Sequence, residues 1–317
     1  MRKVIYEKYG GPEVLQVIEN APIPEVTAKR PILVRVKFTS VNPMDWKFRN
    51  GEIAMMTGTK MPQPMGNDFS GVVVKVRQGV TDYKVGDEVF GIKDGFLLEG
   101  TLADYIAVDP HRICKKPASV SFEEAAALGI AGVTGLEMVD RVGRVSRGHD
   151  VLVLGATGGV GLFAAQIAKA RGANVTGVCS THGVETAKAF CCDDVIDYSK
   201  TDLKSVKRQF DRALFLSGVG GYSTYSHLMK PSSIFSNAVF TPFELFTDFW
   251  RNLFARKQNR IVFADVNTNT LRQVGELVER KQVKVNIAKS FSMNQVKEAY
   301  QFAENEKFVG KVIIAVE

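Results

Sequence analysis

Cysteine is scarce in this sequence, with four in 317 residues: Cys114, Cys179, Cys191 and Cys192. They form neither a disulfide framework nor a Cys-x-x-Cys metal knuckle, and a reducing cytoplasm suits them. Histidine is equally rare, and His111, His149, His182 and His227 stand at no chelating spacing. Long apolar runs are missing too; none approaches the ~20 residues of a membrane-spanning helix. No signal or transit peptide is read ahead of the strand-like pattern that begins at Met1. The net charge of +7 is spread along the chain rather than gathered in a tail. It can steer an anionic ligand or be a generic basic surface. The densest basic stretch, residues 251–260, reads as a helix and its exit and gives weak grounds for a nucleic-acid partner.

What is present centres on residues 151–178, VLVLGATGGVGLFAAQIAKARGANVTGV. The run from Val151 to Leu154 is too short for a buried helix and rich in β-formers, so it reads as a central parallel strand. A turn of Gly155, Ala156, Thr157, Gly158, Gly159, Val160 and Gly161 follows. Then comes a helix with Leu162, Ala165, Ile167 and Ala168 at helical spacing, stopped by Gly172, and a second strand over residues 174–179. This is one βαβ unit of a doubly wound fold. Gly158 lets the backbone approach a pyrophosphate, Gly161 lets the helix lie against the strand, and the helix N-terminus offers N–H groups to phosphates. Ala156 takes the first fingerprint position, giving A-x-G-x-x-G.

An NAD site carries an acid at the end of the second strand, about 20 residues on. Residues 177–181 hold none. Ser180 and Thr181 can donate to a 2′-phosphate and Lys188 can add charge, which favours NADP(H). Ser180 and Thr181 also read as a cap for the next helix, and Lys188 as a solvated surface residue.

Residues 1–118 alternate as short strands with turn signals between them, the pattern of a partly closed β-barrel. Two loops there carry polar residues. Asn42, Asp45 and Lys47 combine an amide, a carboxylate able to bond a ribose, and a cation able to reach a phosphate or carbonyl. Asn42 followed by Pro43 reads equally as the start of a short helix. Asn67 and Asp68 read as a second polar site or as turn formers.

The stretches YGGPEVLQV, SVNPMDWKFRNG, MGNDFSGVVVKV, VGDEVFG, AAALGIAGVTGLEMV, GATGGVG and GKVII, in this order, resemble the zinc-free quinone oxidoreductase branch of the medium-chain dehydrogenase/reductase superfamily. The likeness runs from residue 1 to about residue 215 and resumes near Phe291. The pattern N-P-x-D-x-K, here Asn42, Asp45 and Lys47, is similar to that of the plant-type NADPH-dependent quinone and alkenal reductases. The resemblance implies an α/β protein: a GroES-like catalytic barrel from residues 1–118 and 267–317, and a Rossmann NADP-binding domain from residues 119–266. It puts Asn42, Asn67 and Ala131 where the zinc alcohol dehydrogenases hold Cys, His and Cys, and neither an amide nor a methyl replaces those ligands on zinc. It places Thr134 near the nicotinamide ribose, although Thr134 also reads as a helix hydroxyl bonded to its own backbone. It places Tyr198 beside the 2′-phosphate. The family's usual Asp-x-x-x-Asp pattern before the loop at Ser217 is absent, with Leu214 and Leu216 in that region. A homodimer through the last strand of the nucleotide sheet, expected at residues 261–266, is also implied.

These readings converge on a metal-free, NADPH-dependent reductase of a quinone or α,β-unsaturated carbonyl. Asn42 and Lys47 are expected to hold the acceptor oxygen or the ribose. Asp45, Lys47, Thr134, the turn from Ala156 to Gly161, Ser180, Thr181, Lys188, Tyr198 and Ser217 are expected to hold the cofactor. Phe243, Phe246, Phe249, Trp250 and Phe254 read as a buried or lid-like face, or as an apolar wall for a flat substrate. The alternative function is an NADPH-binding redox sensor or RNA binder without reductase activity.

Overall fold

The computed structural model describes residues 1–54, 58–95, 99–239, 248, 250–253 and 255–317. The alternating N-terminal strands bury one face and curl into a seven-stranded sheet. Its order is Ile287–Ser292, Lys311–Ala315, Ile32–Ser40, Asp68–Val76, Glu88–Ile92 and Ile113–Lys115, with Tyr105–Val108 also paired to Ile32–Ser40. Val34, Val36, Phe69, Val73, Val89 and Ile113 fill its core. The first strand, Lys3–Tyr6, pairs antiparallel with Gln16–Ile18. Lys311–Ala315 runs antiparallel to Ile32–Ser40 and sets Ile313 against Ser40, so the barrel is closed by a strand from the far end of the sequence.

Between those parts lies a six-stranded parallel sheet, ordered Asp194–Asp197, Asn174–Cys179, Asp150–Leu154, Phe210–Phe215, Met229–Asn237 and Gln258–Ile261. Val151 to Leu154 are almost completely buried, as a strand covered on both faces must be. Asp150–Leu154 is the central strand at which the strand order reverses, so the glycine turn opens at the crevice where such sheets bind ligands. The helix Gly159–Ala170 follows, and Gly172 at φ +81° turns the chain out of it. Ser121 starts the passage from barrel to sheet with a true capping box: its hydroxyl accepts from Glu124 N–H at 3.1 Å and Glu124 accepts from Ser121 N–H at 3.0 Å.

The last strand of the sheet falls earlier than the apolar run at 261–266 suggests. It is Gln258–Ile261. Asn252 reaches the outer edge of this strand: its Oδ1 accepts Asn259 N–H at 3.0 Å and its Nδ2 donates to the Asn259 carbonyl at 2.5 Å. Val262 and Val266 then leave the sheet and pack in the core beside Leu271 and Val274 of the helix Thr268–Glu279. A polar edge strand is stabilised by such backbone partners, which hydrophobicity alone does not reveal. Phe243, Phe246, Phe249 and Phe254 lie outside the described residues; Trp250 is 54% exposed. Among the described residues no helix is long and apolar enough to cross a membrane.

Candidate active site

The glycine turn folds as its residues require. A Cβ on Gly161 would overlap the Gly155 carbonyl oxygen, so only glycine lets the helix approach the strand this closely. A Cβ on Gly158 would meet nothing nearer than that oxygen at 3.5 Å, so its outer face is open. Gly158 is also the helix N-cap. Having no side chain, it leaves the N–H groups of the first turn to an outside acceptor. Ala156 is buried with its methyl toward Gly177 of the second strand, which explains why the first fingerprint position tolerates alanine. Thr157 packs toward Gly183, and the Ser217 backbone lies beside Gly155. Thr134 is half-buried, next to Gly135, which faces Phe163 and Ala164 of the fingerprint helix. An open glycine face above unpartnered N–H groups fits a pyrophosphate.

At the end of Asn174–Cys179, Ser180 precedes a tight turn, Thr181–Gly183. The Tyr198 N–H bonds the Cys179 carbonyl at 3.1 Å, which brings Tyr198 beside Ser180. Lys188 stays exposed, 3.8 Å from Glu185. Asp197, a residue passed over in the sequence, alters this corner. Its carboxylate accepts the Thr181 hydroxyl at 2.6 Å and the Ser199 N–H at 2.9 Å. The bond from Thr181, helped by Ser199 and the charge of Lys200, holds its carboxyl below the usual range. In this structure the Thr181 hydroxyl donates to Asp197, a partner that the sequence alone does not indicate. The acid stands on the neighbouring strand rather than at the end of the second.

Asn42, expected at the acceptor oxygen or ribose, and Asp45, expected at the cofactor, are turned inward. Helix Pro43–Arg49 does begin at Asn42, and Asp45 accepts the Asn42 N–H at 2.8 Å. The Asn42 amide, however, is 3% exposed and fully used. Its Oδ1 accepts from Lys311 Nζ at 2.7 Å, and its Nδ2 donates to Asp68 at 2.8 Å and to the Ser40 carbonyl at 3.3 Å. Asp45, 1% exposed, also accepts from the Tyr300 hydroxyl at 3.2 Å and from the Asn67 amide. Asn42, expected on the acceptor oxygen or the ribose, and Asp45, expected on a ribose, are here bonded to protein partners: polar groups in a dry junction satisfy one another. Lys47, on the same helix, is half-exposed and makes no ion pair among the described residues.

Asp68 is no turn former. It opens a core strand and accepts from Ser40 at 2.6 Å and from the Ile130 N–H at 2.8 Å. Lys311, quoted above only as part of GKVII, is buried among these groups and donates also to the Val41 carbonyl at 2.8 Å. Its one sequence signal is a lysine inside an apolar strand. Burial pushes Asp45 up to about 6 and raises Asp68. Burial also lowers Lys311, against the pull of Asp68 and Asp45, and takes neighbouring Lys93 down to about 8.

Asn42 and Asn67 spend their amides on protein partners, and Ala131 offers only a methyl. Among the described residues no three His, Cys, Asp or Glu side chains gather as metal ligands. These residues do not make a zinc donor set.

Comparison with known proteins agrees with this architecture. Residues 28–118 match the alcohol dehydrogenase GroES-like domain, and residues 159–220 and 192–314 match zinc-binding dehydrogenase families. The chain is 32% identical to the mitochondrial NAD(P)H oxidoreductase RTN4IP1 of Bos taurus, over 98% of this chain and 88% of that protein. It is 29% identical to the chloroplastic NADPH-dependent alkenal/one oxidoreductase of Arabidopsis thaliana, over 99% of this chain and 79% of that protein. The solved quinone oxidoreductase from Coxiella burnetii superposes with a TM-score of 0.89 at 26% identity, covering 100% of this chain and 99% of that one.

Proposed function

This chain belongs to the medium-chain dehydrogenase/reductase superfamily, and from that premise we propose that it is an NADPH-dependent reductase of quinones or α,β-unsaturated carbonyls. The observation that carries the reading is the open face of Gly158 over free helix N–H groups at the crevice of the parallel sheet. The relatives support it, since one is named for NADPH and alkenals and a structural neighbour for quinones.

When bound, NADPH supplies the hydride. The turn from Ala156 to Gly161 holds its pyrophosphate, with Ser180, Tyr198 and Lys188 on the adenosine-phosphate side, Ser217 at the ribose and Thr134 on the nicotinamide side. Lys47 is the one member of the Asn42, Asp45 and Lys47 set with donors to spare, so it holds the acceptor oxygen or a cofactor phosphate. Conjugated acceptors gather the developing charge on oxygen, where an ammonium can stabilise it without a metal. The committed amides of Asn42 and Asn67 support a zinc-independent site.

The test is NADPH oxidation with a quinone and with an alkenal, each with and without a chelator. Turnover that survives chelation supports the proposal; loss on chelation overturns its metal-free part. Tight NADPH binding without turnover on either acceptor favours the binding-protein alternative.

A further inference from the structure

We propose that Lys311 is a positioning residue that sets the acceptor-side helix at a fixed distance from the dinucleotide turn. The inference rests on the reductase reading.

Lys311 belongs to two neighbourhoods at once. Its stem lies along the dinucleotide turn: a Cβ built on Gly159 would come within 2.8 Å of Lys311 Cδ. The preceding residue is tied to the same turn, since Gly310 N–H bonds the Thr157 carbonyl at 3.1 Å. Its ammonium reaches the other way, to Val41 at 2.8 Å and to Asn42 Oδ1 at 2.7 Å. Asn42 opens helix Pro43–Arg49, and that helix carries Lys47. One side chain thus connects Gly159 to the helix of Lys47. The strand behind it, Lys311–Ala315, is held on both sides by Ile287–Ser292 and Ile32–Ser40, so the connection starts from a rigid base.

The charge matters as well as the reach. An asparagine amide can face either way. With Lys311 in place, the oxygen of Asn42 faces the ammonium and its nitrogen faces Asp68, which fixes the start of the helix in one state. Burial lowers the Lys311 pKa, and the charges of Asp68 and Asp45 pull against it. Misplacing reacting groups by as little as about 1 Å can cost on the order of 100-fold in rate. A residue that sets this distance should therefore affect turnover without touching the acceptor.

Two variants test this. Lys311→Met keeps the stem and removes the ammonium. Lys311→Met with Asp45→Asn also removes a buried carboxylate, and the Asn67 amide can flip to accept from the new side chain. Three readouts are compared with wild type: melting temperature, NADPH affinity from cofactor fluorescence, and kcat and KM for the acceptor. Lys311→Met should melt lower, and the double variant should regain much of that loss. Both should bind NADPH severalfold more weakly and turn over ~10- to 100-fold more slowly, with acceptor KM changed less than kcat. Wild-type affinity and kcat in either variant overturn the proposal, because Lys311 would then only neutralise charge. A double variant that does not fold also counts against it, making Lys311 a requirement of folding rather than of alignment. If wild type itself turns over no acceptor, the reductase reading fails, and NADPH affinity alone decides the role of Lys311.

Discussion

The Thr181 hydroxyl points its proton at Asp197, 2.6 Å away, across the ends of two adjacent parallel strands. In the cofactor site proposed above, the 2′-phosphate lies at this corner, which sets the Asp197 charge directly behind it. Asp197→Asn keeps an oxygen for Thr181 and removes that charge. The expected result is a severalfold lower KM for NADPH with the KM for NADH unchanged, read by steady-state kinetics on both cofactors. A fall in both, or in neither, would place Asp197 outside the cofactor corner.

Two glycines of one turn should fail in different ways. Gly158→Ala adds a methyl into open space at a backbone angle that alanine adopts, so stability should change by less than about 1 kcal/mol. NADPH affinity should nevertheless fall at least 10-fold, because the methyl sits where the pyrophosphate approaches. Gly161→Ala overlaps the Gly155 carbonyl and should cost about 1–3 kcal/mol of folding stability or more. Urea denaturation and fluorescence titration separate the two.

Asn42 and Lys47 should likewise part company. Asn42→Ala removes one hydrogen-bond partner from Lys311 Nζ and one from Asp68 in a dry junction and should lower stability by about 1–3 kcal/mol. Among the described residues the Lys47 side chain makes no hydrogen bond or ion pair, so the melting curve of Lys47→Ala should match wild type. Its effect should appear as a raised KM for NADPH or a roughly 10-fold lower kcat, the loss expected for one charged contact. Wild-type kinetics would remove Lys47 from the site.

Stability should fall as pH rises from about 4 to about 6. Burial moves the Asp45 carboxyl from 3.8 to about 6, so in this range the folded state holds a proton that the unfolded chain has released. The stability conferred by that proton is complete below pH 4 and lost above pH 6, on the order of 3 kcal/mol. Asp45→Asn should flatten this segment of the pH–stability curve. A slope unchanged in the variant would show that another group titrates there.

Local signals in the sequence were legible. The glycine turn and the Asn-Pro helix start each depend on residues within a few positions of one another, and both take their expected form. Pairings across the fold were not. Asn42, Asp45 and Thr181 are the right residue types for ligands, but Lys311 and Tyr300 in the buried junction, and Asp197 at the surface corner, give them protein partners in this structure. Those partners come from distant strands and helices, and no spacing rule connects them. The final strand was misplaced for a related reason: its edge is stabilised by the Asn252 side chain rather than by apolar residues.

The barrel seam between Ser40 and Ile313 joins strands separated by the whole nucleotide-binding unit, so they leave the ribosome far apart in time. Throughout translation of the nucleotide-binding unit, the Phe38–Ser40 end of Ile32–Ser40 waits with an open backbone edge where Lys311–Ala315 will later dock, although Tyr105–Val108 already covers its other end. An uncovered β-edge is a template for wrong partners. The nascent chain therefore passes through a long interval in which chaperone protection matters most, and it ends only when those last strands emerge and the seam zips shut.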